Sequence, residues 1–310
     1  MEHKIDLTVD FAGLKLKNPV LTASGTCGYA DELGDFMDID LLGGFITKSI
    51  TLEKRDGNPV PRIVETDSGM LNAIGLANIG IEKFIAEKIP LLKQYKTPFF
   101  VNVAGKTIEE YISVAEKLAD CGEIAGIELN ISCPNVKKGG ITFGTDPQLI
   151  GQITSAVKKA LGKKILITKL TPNVTDISIT AKAAIEAGTD AISMINTFTA
   201  MVIDIETQKP VLANRTGGLS GPAIKPIAVY LTNKVYNEVA KPANIPILAG
   251  GGIRNGSDAI EFIIAGATAV TIGTASFLYP DSAIKIIDGM ENYCRRHKIN
   301  RISEFTGSLK

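Results

Sequence analysis

Short apolar runs recur along the chain, separated by longer amphipathic stretches. The runs occupy 19–24 (PVLTAS), 42–48 (LGGFITK), 98–104 (PFFVNVA), 125–131 (AGIELNI), 164–170 (KILITKL), 190–195 (DAISMI), 245–249 (IPILA) and 268–272 (TAVTI). They are rich in Val, Ile and Phe, and several are apolar at both alternating positions. That is the pattern of parallel strands covered on both faces. Between them, 78–93, 107–121, 145–161, 175–187, 223–240, 257–265 and 280–297 read as helices, with a short one near 29–36. Thr107-Ile-Glu-Glu110 and Thr145-Asp-Pro-Gln148 read as capping boxes. Within 150–161, Ile150, Ile153, Val157 and Leu161 recur at steps of three and four, as one buried helix face requires. Eight strands, each followed by a helix, predict a (β/α)8 TIM barrel formed as a single domain over residues 1–310. An open doubly wound sheet is the alternative. Against it, Gly25-Thr-Cys-Gly28 after the first strand lacks the G-x-G-x-x-G spacing of a dinucleotide turn.

Three stretches depart from the repeat. Residues 4–17 alternate and turn at Ala12-Gly13, like a hairpin capping the N-terminal end of the barrel. Residues 49–77 and 197–222 are long connections after the second and sixth strands. Long loops in a compact fold tend to be functional. Both leave the C-terminal face, where barrel enzymes hold their active sites.

Composition narrows the chemistry. The 310 residues carry 33 basic and 33 acidic side chains, so no nucleic-acid partner is expected. Four cysteines, at 27, 121, 133 and 294, include no C-x-x-C pair, which argues against a zinc ribbon or an iron–sulfur cluster in this chain. The N-terminus is polar, and no apolar run approaches 18 residues, so neither a signal peptide nor a membrane span is expected and the expected location is the cytoplasm. The two histidines, His3 and His297, lie near opposite ends of the chain. Serine–histidine and cysteine–histidine catalysis are thereby disfavoured, and no metal site is expected. Acid–base work must fall to Cys, Lys, Asp, Glu or Tyr.

The C-terminal ends of the strands filter the candidates. Strand 7 ends in Gly250-Gly-Gly-Ile253 and strand 8 in Gly273-Thr274. Glycine turns at these two positions form the phosphate site of many barrels, although each alone could be a tight packing turn. Lys48 ends strand 2 and Lys169 lies in strand 5. A lysine in a buried strand is costly unless it meets an anion. The pyrimidine edge of a reduced flavin and a substrate carboxylate are both candidates. Asn102, Asn130 and Asn196 sit near the ends of strands 3, 4 and 6, with Asn72 and Asn135 in adjoining loops. Amides that donate and accept suit a planar ligand with C=O and N–H edges. Cys133, in Asn130-Ile-Ser-Cys-Pro-Asn135, is the candidate base, followed by a Lys137-Lys-Gly-Gly140 stretch that reads as a lid. Cys27, after strand 1, is its rival. Cys121 and Cys294 fall in helical patterns and read as packing residues.

Taken together, Asn18-Pro-Val-Leu-Thr-Ala-Ser24, Thr47-Lys48, Asn72-Ala-Ile-Gly-Leu76, Asn130-Ile-Ser-Cys-Pro-Asn135, Ile195-Asn196-Thr197, Gly217-Gly-Leu-Ser-Gly-Pro222 and Gly250-Gly-Gly-Ile253 resemble the dihydroorotate dehydrogenases, over nearly the whole chain. These are FMN-dependent barrel enzymes of pyrimidine synthesis. The resemblance implies that Cys133 removes a proton from C5 of dihydroorotate while hydride leaves C6 for the flavin. A cysteine base, rather than serine, points to the soluble class 1 enzymes. By the same resemblance, Lys48, Asn72, Ala73, Ile74, Gly75, Leu76, Asn130, Asn196 and Thr197 form the orotate pocket. Ser24, Lys48, Ser49, Asn102, Asn130, Lys169, Ile195, Gly221, Gly251, Gly252, Gly273 and Thr274 contact FMN. The Asn-Ala-Ile-Gly-Leu loop is similar to the NAD-linked type 1B catalytic subunit, whereas the fumarate-linked type 1A usually has Ser-Met-Gly-Leu there. A type 1B assignment implies a partner subunit bringing FAD and a 2Fe-2S cluster, and a homodimer or, with that partner, a heterotetramer.

Other readings compete. A dihydropyrimidine dehydrogenase-like enzyme shares the barrel and cysteine, though Asn135 after Cys-Pro leans against it. A non-redox phosphate-binding lyase would use Lys169 as a Schiff base. A non-catalytic binding barrel is the third.

Overall fold

The computed structural model describes residues 5–132 and 143–310. Its central sheet holds eight strands: β1 (Val20–Thr22), β2 (Phe45–Ile46), β3 (Phe99–Val103), β4 (Ile124–Asn130), β5 (Ile165–Lys169), β6 (Ala191–Met194), β7 (Ile247–Ala249) and β8 (Ala269–Ile272). Each lies beside its neighbours in sequence, all parallel, and β8 pairs with β1. A parallel bridge between Leu21 and Gly44 joins β1 to the approach to β2. Thr22 reinforces that seam: its hydroxyl accepts from the Ile46 amide at 2.8 Å and donates to the Ile46 carbonyl at 3.1 Å. The sheet therefore closes on itself. Seven strands lie within the apolar runs and β4 starts one residue before its run, because burial on both faces leaves no polar alternation to blur the pattern.

Helices Ile108–Ala119, Pro147–Leu161, Ile177–Glu186, Lys225–Val235, Gly256–Ala265 and Ser282–His297 follow β3 to β8. After β2, residues 81–92 are helical, with a π turn at Phe84–Lys88 just before Pro90. A second π turn, Tyr236–Ala240, precedes Pro242. Proline withholds an amide and crowds the preceding turn, and a wider turn accommodates it.

Two expectations about helices need correcting. Residues 29–36 form turns instead of a helix, and only the 3-10 turn Ile39–Leu41 follows. Gly28 (φ 56°) and Ala30 (φ 84°) adopt left-handed backbone there, which an α-helix cannot absorb. The helix expected to start from Thr145 is capped one residue later. The Asp146 side chain accepts from the amides of Gln148 and Leu149, with Pro147 at the first helical position. The cap at Thr107 is as expected, accepting from the Glu110 amide at 3.2 Å.

The N-terminal hairpin, Val9–Phe11 with Leu14–Leu16, turns through Ala12 and Gly13, both at positive φ. Phe11 is fully buried and meets Phe100, near the start of β3, edge to face at 6.3 Å. The hairpin thus covers the N-terminal end of the barrel. At the other end the two long connections build one antiparallel sheet together. Its order is Phe198–Ala200, Gly217–Ser220, Gly69–Asn72, Ile63–Thr66. Asn72 ends one of these strands and is not a loop residue, as the sequence suggested.

Cys27, Cys121 and Cys294 are all buried. Burial pushes each thiol above its usual range, and Glu32 adds to the effect at Cys27. A raised value leaves the thiol protonated at neutral pH, so little thiolate is present to react. In native protein at pH 7.5, mass spectrometry should find these three unmodified by iodoacetamide. Labelling should begin only at alkaline pH, whereas unfolded chain labels at all four cysteines. Fast native labelling of Cys27 at neutral pH would contradict this.

Candidate functional site

The site grows from the C-terminal halves of the barrel strands. Glu128 in β4 is fully buried. Asn102, its register neighbour in β3, donates from Nδ2 to Oε2 at 2.6 Å. Ser193 in β6 donates from Oγ to Oε1 at 2.6 Å. Lys169 in β5 brings its ammonium to 3.4 Å from Oε2, and its side chain is 11% exposed. The same ammonium donates to Ser24 Oγ, just past β1, at 3.1 Å. Ser49, just past β2, donates to Asn102 Oδ1. An acid enclosed by donors in this way is the arrangement that makes a buried charge tolerable. Removing one partner of such a pair costs on the order of 3–5 kcal/mol.

The anion that Lys169 was expected to meet is thus, in part, supplied by the chain itself. Glu128 and Ser193 were not among the expected site residues. The signal for Glu128 was present: it is the single charge in the run AGIELNI, with no solvent face to explain it.

Above this floor, Asn130 ends β4. Its Oδ1 accepts from the Ser132 amide at 3.2 Å and from Asn196 Nδ2 at 3.4 Å. The Tyr111 hydroxyl donates to the Asn130 carbonyl at 2.7 Å and fixes the strand end from below. Asn196 Oδ1 accepts from the Thr197 amide at 2.8 Å. Thr197 lies so close to Gly218 that a Cβ there would fall 1.9 Å from its Oγ1. Gly218 pairs in turn with Asn72. Asn130, Asn196, Thr197 and Asn72 therefore come together as expected. Ala73, Ile74, Gly75 and Leu76 follow Asn72 in a loop held by Asn58 and Asn78, which donate to the carbonyls of Ala73 and Leu76 at 3.0 and 2.8 Å. The half-buried Lys48 makes no side-chain ion pair or hydrogen bond among the described residues.

Glycine turns close the opposite side. Gly251 (φ 145°) and Gly252 (φ 79°) follow β7, and Gly221 (φ 96°) follows the strand Gly217–Ser220. A Cβ on Gly252 would meet the Gly221 carbonyl at 2.7 Å, and one on Gly251 would approach Ala228 at 2.8 Å. Only glycine allows backbone so close together in these conformations. Thr274, after β8, joins them by donating to Ser220 Oγ at 2.9 Å. Ile195 approaches the same turn: a Cβ on Gly251 would lie 3.6 Å from its Cγ1. At Gly273 a Cβ would make ordinary contact with Ala23 at 3.4 Å and Thr26 at 3.7 Å. Nearby, Lys225 is held between Asp258 and Glu261 at 2.8 and 2.6 Å. Those carboxylates raise its proton affinity above the ordinary lysine value and already balance its charge.

Cys133, Asn135 and the Lys137-Lys-Gly-Gly140 stretch lie outside the described residues. Their rival, Cys27, is buried beside Thr26 Oγ1 at 3.4 Å and carries the raised thiol described above, which counts against a base at neutral pH. Among the described residues, no helix is long and apolar enough to cross a membrane.

Known proteins give this geometry a family. The sequence pattern of dihydroorotate dehydrogenase matches residues 6–293. A relative from Pelobacter propionicus, named dihydroorotate dehydrogenase B (NAD(+)), catalytic subunit, is 53% identical over 307 residues, covering 99% of both chains. One of the same name from Alkaliphilus metalliredigens is 50% identical, again over 99% of both. Among solved structures, DHODH from Eimeria tenella in complex with ferulenol superposes with a TM-score of 0.80 at 25% identity, over 99% of this chain and 89% of that one. The barrel, the polar cluster at its mouth and the full-length match together place this chain in the dihydroorotate dehydrogenase family.

Proposed function

We propose that this chain is the FMN-binding catalytic subunit of an NAD-linked, type 1B dihydroorotate dehydrogenase, oxidising (S)-dihydroorotate to orotate for pyrimidine synthesis. The observation that carries the proposal is the polar cluster of Lys169, Asn102, Asn130 and Asn196 facing glycine turns at one barrel mouth, in a chain about half identical to relatives of that name. The residues present fit FMN. Turns at Gly221, Gly251 and Gly252 leave no room for side chains, so backbone amides are the groups there that suit the phosphate. Lys169 and the amides of Asn102 and Asn130 suit the polar edge of the ring system. When bound, FMN supplies a hydride acceptor for C6 of the substrate.

The chain's own residues do the rest. Cys133 takes the proton from C5 through Sγ, the role that the family resemblance gives it, while the raised thiol of Cys27 argues against its rival. Asn72, Asn130, Asn196 and Thr197 hold the ring amide and carboxylate of the substrate, and Lys48 offers an ammonium that has no ion pair among the described residues. The sheet built from the two long connections covers the site. Electrons leave through a partner subunit carrying FAD and a 2Fe-2S cluster, in a heterotetramer built on a homodimer of this chain.

Two outcomes check this reading. Cys133→Ala should keep bound flavin, yet in stopped-flow its reduction by dihydroorotate should slow by about 10²–10⁴-fold, the usual range for losing a general base. A variant as fast as wild type would remove Cys133 from that role. The purified chain alone should reduce NAD poorly and gain that activity only when the partner subunit is added. Brisk NAD reduction by the pure chain, or brisk fumarate reduction, would overturn the type 1B assignment.

A further inference from the structure

Glu128 has no place in the reaction just described, and its burial asks for one. It is fully enclosed in the barrel, yet one carboxylate oxygen takes both Asn102 Nδ2 and the Lys169 ammonium. The other takes Ser193 Oγ. An acid serving only to fill space would be replaced without loss by an apolar side chain of its size. Here every hydrogen-bonded partner of the carboxylate is itself part of the mouth or adjoins it. Asn102 passes the contact on to Ser49, and Lys169 passes it on to Ser24.

We infer that Glu128 is a positioning residue: it holds the Lys169 ammonium and the Asn102 amide at the floor of the flavin site and offsets part of the lysine's charge. The inference rests on the flavin reading above. Lys169 is the charge in this cluster best able to meet a negative ring edge, and its ammonium is shared between Ser24 and Glu128. While Glu128 draws on it, the floor presents less than a full positive charge to the ligand. Without Glu128 the ammonium would turn wholly to the ligand, and the site would favour the more negative, reduced form of FMN.

The test uses the full chain loaded with FMN. Two quantities are read: the affinity of apo-protein for oxidised FMN, by quenching of flavin fluorescence, and the midpoint potential against a reference dye. Together they give the preference for reduced over oxidised flavin. Glu128→Gln keeps the shape and removes the charge. It should raise that preference roughly tenfold, equivalent to about 30 mV for a two-electron couple. Glu128→Asp keeps the charge and shortens the side chain, and should stay within about threefold of wild type. A role in packing alone predicts the reverse order, with Gln near wild type and Asp perturbed, and that result overturns the inference. In a Lys169→Met background, Glu128→Gln should change the preference by less than about threefold, because its effect runs through the lysine. A full tenfold effect there would mean that Glu128 acts directly, which also overturns it. Should Glu128→Gln alone fail to fold, the paired Glu128→Gln/Lys169→Met chain carries the test. Removing both charges should restore folding, and failure of the pair as well would assign Glu128 to structure alone. A wild-type chain that binds no FMN would refute the flavin reading before any variant is made, and is thereby distinct from these outcomes.

Discussion

A carboxylate with no exposure must be surrounded by donors or it destabilises the fold. Glu128 imposes that constraint on the centre of this barrel, and the rest of the site is arranged around its solution. Asn102 from β3, Lys169 from β5 and Ser193 from β6 converge on it. Ser24 past β1 and Ser49 past β2 hold two of those three in turn. Six strands thus contribute to one connected polar floor. A network in which each member is satisfied by the next is rigid, and rigidity is what a binding site needs to recognise a ligand without first reorganising.

The two remaining strands do a different job. β7 and β8 end in glycines rather than polar side chains, and offer backbone to a ligand where the others offer amides and ammonium groups. Gly252 packs on the Gly221 carbonyl, Gly221 on Gly69 and Gly251 on Ala228, each too closely to admit a Cβ. The Lys225–Asp258–Glu261 cluster stands behind Gly252 and keeps its charges to itself. On the proposed function, side chains would meet the ligand on one arc of the barrel and backbone on the other, with the added antiparallel sheet at the same end.

Much of this was legible in the sequence. The eight strands were, because continuous apolar runs bounded by Gly and Pro have few other interpretations. So was the gathering of Lys169, Asn130, Asn196 and the glycine turns at one face, since that follows once the strand order is known. Local backbone chemistry was harder to read. Residues 29–36 have helical composition, but Gly28 and Ala30 take left-handed conformations that composition does not reveal. Asp146 displaced Thr145 as the cap because Pro147 defines the first helical position. Asn72 became a strand residue because it pairs on both sides, with Ile63 nearby in the chain and with Gly218 more than a hundred residues away. Glu128 was visible as a lone charge in an apolar strand, but its meaning depended on which neighbours face it across β3, β5 and β6.

The most direct measurement is an anaerobic titration of the purified, FMN-loaded chain with (S)-dihydroorotate, followed in the visible spectrum. The account predicts that the yellow absorbance bleaches promptly and in proportion to substrate, with one orotate formed per flavin. Flavin that stays oxidised in excess dihydroorotate, while the protein remains folded and loaded, would contradict it.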